Sequence, residues 1–172
     1  LKLDTGCIKI RGKVGALIEL GTGFNQILTG RENIYVNAAI LGLGREEVDR
    51  RLETIIEFAE IGDFIDAPVQ SYSSGMKVRL GFSVAANLNP DLLLIDEILS
   101  VGDASFRERC YTYLMNYNRQ GGTIIFVSHN PVAVEAISDR LLWLDHGQTV
   151  ALGAVPELID RYEKQARELS RQ

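Results

Sequence analysis

Two short, wholly apolar runs constrain this chain more than any other feature. Leu92-Leu93-Leu94-Ile95 lies between Pro90-Asp91 and Asp96-Glu97, and Thr123-Ile124-Ile125-Phe126-Val127 follows Gly121-Gly122 and runs into Ser128-His129. Each is too short for a helix and lacks polar alternation, which predicts central strands buried on both faces. The stretch 104–118 between them is helical in character, so strand, helix and strand are expected to form a right-handed parallel βαβ unit, and the fold class is α/β. In an open parallel sheet the C-terminal strand ends share one edge, where ligands bind. That rule brings Asp96, Glu97 and His129 toward one crevice.

The remaining elements follow from periodicity and punctuation. Ile8 and Ile10 alternate with Lys9 and Arg11, which predicts short strands in the first twenty residues. Gly21-Thr22-Gly23-Phe24-Asn25 reads as a loop. Thr29, with Glu32 three residues later, reads as the entry to a helix running to about residue 39. From Arg45, the residues Val48, Leu52, Ile55, Ile56 and Ala59 make one helical stripe ended by Gly62, with Glu46, Asp49, Arg50, Glu53 and Glu57 on a solvated face. Ser71-Tyr72-Ser73-Ser74-Gly75 leads into a helix over about 75–87. After His129 the pattern gives a short helix near 132–137, strands at 141–144 and 149–152 joined by Asp145-His146-Gly147, and a last amphipathic helix from Val155 with Pro156 in its first turn. With no repeat or linker visible, residues 1–172 read as one domain.

Composition narrows the function classes. A hydrophobic share of 46% in 172 residues is enough for a sizeable core, which excludes intrinsic disorder. Eighteen Lys and Arg against 23 Asp and Glu leave a net charge of −5, which argues against a partner held by charge alone, such as nucleic acid or an acidic membrane. Cys7 and Cys110 match no metal or disulfide spacing, so a reducing cytoplasm is expected. No apolar run approaches the roughly 18 residues of a membrane span. The opening Leu1-Lys2-Leu3-Asp4 lacks Met and leads into a turn, so further chain is expected upstream.

The chemistry-bearing residues each have an ordinary reading beside the functional one. Asp96 and Glu97, adjacent at a strand end, point in opposite directions and cannot share one task. One can hold a metal through water while the other orients a nucleophilic water, or both simply begin a loop. His129 is a crevice imidazole, or a loop or cap residue before Asn130-Pro131. Ser73-Ser74-Gly75 at a helix start offers free N–H groups and the positive dipole end to a phosphate, or is an ordinary Ser cap. Order and spacing favour function. The serine-glycine helix entry is followed by LLLIDE, then Ser100-Val101-Gly102-Asp103, then the strand ending in His129.

This constellation resembles the nucleotide-binding domain of ABC transporters over essentially the whole chain. Tyr72-Ser73-Ser74-Gly75-Met76 stands at the LSGGQ signature, residues 92–97 at Walker B with its glutamate, residues 100–103 at the D-loop, and His129 at the switch histidine. The resemblance implies a P-loop NTPase-like α/β core with a parallel sheet and a helical signature subdomain over about 31–90. It also implies ATP and Mg²⁺ as cofactors. Ser73, Ser74 and Gly75 would meet the γ-phosphate of an ATP held mainly by a second copy. Asp96 would hold Mg²⁺ through water, Glu97 would polarise the attacking water, His129 would contact the γ-phosphate, and Asp103 would communicate across the dimer.

The chain also departs from the family pattern. No G-x-x-x-x-G-K-[ST] occurs, so turnover by these 172 residues alone is not expected. The Q-loop residue is either Glu19, nearest its expected place, or Gln26, a few residues late. The runs 19–25 and 29–33, with the variant signature, resemble the branch exporting O-antigen, capsule or teichoic-acid chains. That implies a cytoplasmic ATPase subunit on the inner face of the membrane, with a polytopic permease partner and no nucleic acid. The segment 19–31 would face that permease, with Phe24 either a contact or a core aromatic. Two other readings stay open: an ABC-type ATPase without a transport role, and a binding or assembly module without hydrolysis.

Overall fold

The computed structural model describes residues 4–17, 23–40, 42–87, 90–96 and 103–169. The chain divides into two compact units, Leu1–Leu94 and Ile95–Gln172. The first carries strand β1 (Val14–Leu17), helices α1 (Gly30–Ile40), α2 (Arg45–Asp49) and α3 (Leu52–Ala59), two 3-10 turns (Gly62–Asp66 and Val69–Ser71), and helix α4 (Ser74–Asn87). Strand β2 (Leu92–Asp96) crosses the division. The second unit carries α5 (Ala104–Arg119), β3 (Thr123–Val127), α6 (Pro131–Ile137), β4 (Arg140–Asp145), β5 (Gln148–Ala154) and α7 (Val155–Leu169). Strands β1, β2 and β3 form one sheet in that order, and the fold is α/β with a parallel sheet.

The helical part of the first unit begins with a reciprocal cap. The Thr29 amide and hydroxyl both donate to Glu32 Oε2, at 2.8 and 3.0 Å, and the Glu32 amide donates to Thr29 Oγ1 at 3.2 Å. This is the capping box expected from the spacing. From α1 to α4, Ile34, Ala38, Val48, Ile55, Ala59, Leu80 and Val84 are buried in one cluster with Phe24, Ile65 and Val69. Phe58 and Phe82 stack at 5.7 Å, pinning α3 to α4. Gly30 sits where α1 crosses the turn at Ile65, and a Cβ there would collide with the Tyr72 hydroxyl and Ile65.

Three expectations need correction in this unit. Residues 7–11 form no strand, and Ile8 and Ile10 are exposed. Alternation over four residues supplies a pattern but no partner strand. The helix expected from Arg45 is broken between α2 and α3. Arg51 stands at φ −113° as the cap of α3, with its guanidinium drawn to the Asn87 carbonyl at 2.8 Å and to Glu47 at 3.2 Å. The apolar stripe survives the break because Val48 and Ile55 still face the same core. Helix α3 ends at Glu60, in the left-handed region at φ 48°, rather than at Gly62, which opens the following 3-10 turn.

In the second unit β4 and β5 pair antiparallel through a two-residue turn, His146 at φ 45° and Gly147 at φ 77°, as the right-handed twist of a hairpin requires. Helix α7 lies against both strands. Val155, Leu158 and Ile159 are buried, and Tyr162 meets Trp143 edge to face at 5.5 Å. The expectation that both apolar runs are buried on two faces is not met: Leu92 and Leu94 of β2 are only half-buried, and no residue of β3 is buried. Leu93 and Ile95 of β2 are buried, whereas Ile125 and Val127 of β3 are 53% and 59% exposed. Strand β3 ends the described sheet order, and an apolar sequence cannot show which of its faces is covered.

Candidate functional site

The serine-glycine tip is the first turn of α4. Ser73 precedes the helix, and its Oγ accepts the Met76 amide at 3.2 Å while its carbonyl accepts the Lys77 amide at 3.1 Å. Ser73 therefore caps the helix, and Ser73 and Ser74 are exposed. The first turn carries no acidic side chain, so the helix dipole there meets no opposing carboxylate of its own. Gly75 is helical, and a Cβ built on it meets nothing nearer than Ser73 Oγ at 3.8 Å. Neither backbone conformation nor internal packing demands a glycine at this position. Tyr72 faces inward instead, its hydroxyl donating to the Phe64 carbonyl, and burial pushes its pKa above the usual phenol value.

Asp96 and His129 occupy corresponding places in the second unit. Asp96 is the last residue of β2, and His129 follows β3 by two residues, so both stand at the C-terminal ends of neighbouring strands, and both are exposed. Asn130, directly after the histidine, caps α6 by accepting the Val132 and Ala133 amides at 3.1 and 3.4 Å. The cap role considered for His129 thus belongs to its neighbour. Asp103 caps α5, its Oδ1 accepting the Phe106 amide at 2.9 Å. That role was not expected from the sequence, although an aspartate followed by a helical run is an ordinary cap signal. Glu97, the residues 100–102 and Glu19 lie outside the described residues.

Among the described residues no three His, Cys, Asp or Glu side chains converge on a metal cage. The donor chemistry at the end of β2, one exposed carboxylate, suits a hydrated Mg²⁺ held through water and phosphate rather than an all-protein site. The open first turn of α4 suits phosphate oxygens.

Gln26 is committed elsewhere. Its Oε1 accepts Lys77 Nζ at 3.0 Å, its Nε2 donates to the Phe24 carbonyl at 3.0 Å, and its own carbonyl accepts the Gln70 amide at 2.9 Å. Phe24 is 6% exposed within the helical core, so the core reading of that residue holds and the contact reading falls. Sequence reasoning missed Asn33. It is fully buried, its Oδ1 accepts the Asn25 amide at 2.8 Å, and its Nδ2 donates to the carbonyls of Asn25, Leu28 and Thr29. A lone Asn inside a helical pattern gives no signal that it reaches back over the preceding loop.

A capped, acid-free helix tip on a parallel-sheet α/β chain is the kind of site that suits a phosphate-bearing ligand. The ABC transporter family profile matches residues 3–100, and the chain belongs to that family. It is 47% identical over 164 residues to the O-antigen export system ATP-binding protein RfbB of Klebsiella pneumoniae, covering 95% of this chain and 67% of that one. It is 50% identical over 161 residues to the ABC transporter protein AbcA of Aeromonas salmonicida, and 42% identical over 168 residues to the teichoic acids export ATP-binding protein TagH of Lactiplantibacillus plantarum. These alignments cover 94% and 98% of this chain but only 52% and 46% of those relatives.

Among solved structures, an ATP-binding subunit of an ABC transporter superposes with a TM-score of 0.77 at 21% identity, covering 88% of this chain and 62% of that one. A dimeric ATP-binding cassette in a post-hydrolysis state with ADP and Pi superposes at 0.69, also at 21% identity, covering 83% and 63%. At that identity the likeness is one of fold.

Proposed function

We propose that this chain is part of the ATP-binding subunit of an exporter of lipid-linked polysaccharide. Residues 1–172 would form part of one ABC ATPase domain, with the helical signature subdomain over about 31–90 and the remainder as ATPase core. The observation carrying the reading is the α4 tip, where the fold leaves Gly75 unshielded at an acid-free helix start. The relatives in O-antigen and teichoic-acid export supply the transport setting.

In this reading the tip amides and the Ser73 and Ser74 hydroxyls hold the γ-phosphate of an ATP bound chiefly by a second copy. Phosphoryl transfer depends on positioning and charge stabilisation more than on covalent chemistry. Asp96 would hold Mg²⁺ through water, Glu97 would polarise the attacking water, His129 would contact the γ-phosphate, and Asp103 would communicate across the dimer. When bound, Mg²⁺ neutralises charge on the phosphates. No described helix is long and apolar enough to cross a membrane. In this reading the transport path is supplied by a polytopic permease partner, as the relatives' export systems suggest, and the subunit works at the inner face of the membrane. Arg31, at the end of the segment assigned to that partner, lines an open groove of about 440 Å³ with Tyr35, Leu43 and Arg45.

The test is Glu97→Gln in the full-length subunit. It is expected to lower turnover by about a hundredfold or more and to trap an ATP-bound dimer visible by light scattering. Unchanged turnover removes Glu97 from its role. The 172 residues alone are expected to show phosphate release no higher than a protein-free blank. Robust, Glu97-dependent turnover by them would overturn the need for a separate phosphate-binding loop.

A further inference from the structure

The loop preceding α1 is tied on three sides. Asn33 holds it from α1 through the contacts described above, its Oδ1 accepting the Asn25 amide and its two Nδ2 hydrogens shared among the carbonyls of Asn25, Leu28 and Thr29. On the opposite side the loop forms a short ladder with the segment entering the serine tip. The Val69 amide donates to the Leu28 carbonyl and the Gln70 amide to the Gln26 carbonyl, both at 2.9 Å, and Thr29 bridges Pro68. The third tie is the Gln26–Lys77 hydrogen bond, which reaches α4 one turn beyond Ser73. Lys77 is also the residue whose amide is accepted by the Ser73 carbonyl. The loop is thus fastened to a buried amide at one end and to both flanks of the α4 tip at the other.

We propose that residues 25–29 act as a strap that sets the position of the Ser73–Gly75 turn, with Asn33 as its buried anchor and Gln26–Lys77 as its clasp. Asn33 is a positioning residue: it touches the loop, not the tip, and acts through the 68–70 ladder. A displacement of the loop is carried to the serine turn because buried amide bonds do not stretch, and breaking one leaves an unsatisfied polar group. The clasp also accounts for Gln26, whose side chain is engaged within this unit. The functional weight of the strap rests on the reading that the α4 tip meets nucleotide, whereas the mechanical coupling does not.

Amide hydrogen exchange on the 172-residue chain tests the coupling separately from ATP chemistry. Gln26→Met and Lys77→Met are surface changes that leave the core intact. Each is expected to speed exchange of the Gln70, Met76 and Lys77 amides about threefold or more, with the α1 amides of residues 34–38 unchanged. The charge-paired double variant Gln26→Lys with Lys77→Glu is expected to restore the original rates, which loss of bulk at either position could not do. Asn33→Asp keeps the acceptor and loses the donated bonds, and is expected to speed the same amides about tenfold. If that variant unfolds, the surface pair decides alone. Unmoved Met76 and Lys77 amides, acceleration spreading equally to α1, or failure of the double variant to restore the rates would each overturn the strap.

Discussion

Gly75 is informative because the fold does not need it. Most glycines here relieve a clash or adopt positive φ. Gly30, for example, yields to the Tyr72 hydroxyl, and Gly147 holds a hairpin turn. Gly75 does neither. Alanine is the better helix former by up to about 1 kcal/mol in helix interiors. Gly75→Ala is therefore expected to leave the melting temperature unchanged or slightly raised. In the full-length subunit it should weaken nucleotide-dependent dimerisation about tenfold or more, since a methyl group would stand between the first-turn amides and an approaching phosphate. Equal loss of stability and dimerisation would mean that the glycine serves the fold. The capping roles of Ser73 and Asp103 do not compete with ligand roles, because each cap bond uses one side-chain oxygen as acceptor and leaves further hydrogen-bonding capacity.

At the scale of elements, α1 is the piece against which the helical unit is assembled. Its start is closed by the Thr29–Glu32 box, its buried face carries Ile34 and Ala38, and its exposed flank reaches the first 3-10 turn through Arg31. That guanidinium donates to both Asp66 oxygens, at 2.7 and 3.2 Å, and this hydrogen bonding holds the Asp66 carboxyl below the usual carboxylate range. A depressed folded-state pKa contributes stability that is present above the unfolded value, about 3.9, and is lost as pH falls through the folded value. Arg31→Met is expected to return the Asp66 titration, followed by carboxyl NMR, to the ordinary range. An unmoved midpoint would show that Arg31 is not the cause. The pair is exposed to solvent, so its role is to orient the turn that carries Phe64 and Ile65 rather than to hold the unit together.

Within the second unit, the hairpin presents Leu142, Leu144 and Leu152 to solvent, each more than half exposed, and β3 adds Ile125 and Val127. Leu142 pairs with Leu152 across the ladder, so these side chains share a face opposite the one α7 covers through Trp143. Exposed apolar area of this kind drives association. The 172-residue chain is expected to self-associate at tens of micromolar, read by light scattering coupled to size exclusion. Leu144→Lys with Leu152→Lys should shift it toward monomer at little cost in stability, because neither side chain is buried. A monodisperse monomer of the unchanged chain would count against this.

Much of the architecture was legible in the residues themselves. The limits of β3, a turn at Asp145-His146-Gly147 joining two strands, the Thr29 capping box and the amphipathic α7 all follow from local rules of periodicity, turn chemistry and capping, which act over a few neighbouring residues. The order of serine tip, acidic strand end and the histidine after β3 was equally readable and pointed to the family. Tertiary structure alone decided which faces are covered, why Ile8–Ile10 joins no strand among the described residues while Val14–Leu17 does, where the helix after Arg45 breaks, and that Asn33 and Gln26 tie one loop to the serine turn. Two of those outcomes depend on partners 36 and 51 residues away, Asn87 for Arg51 and Lys77 for Gln26. Local pattern carries no information about contacts at that separation, because they form only once the chain has closed its loops and buried its core.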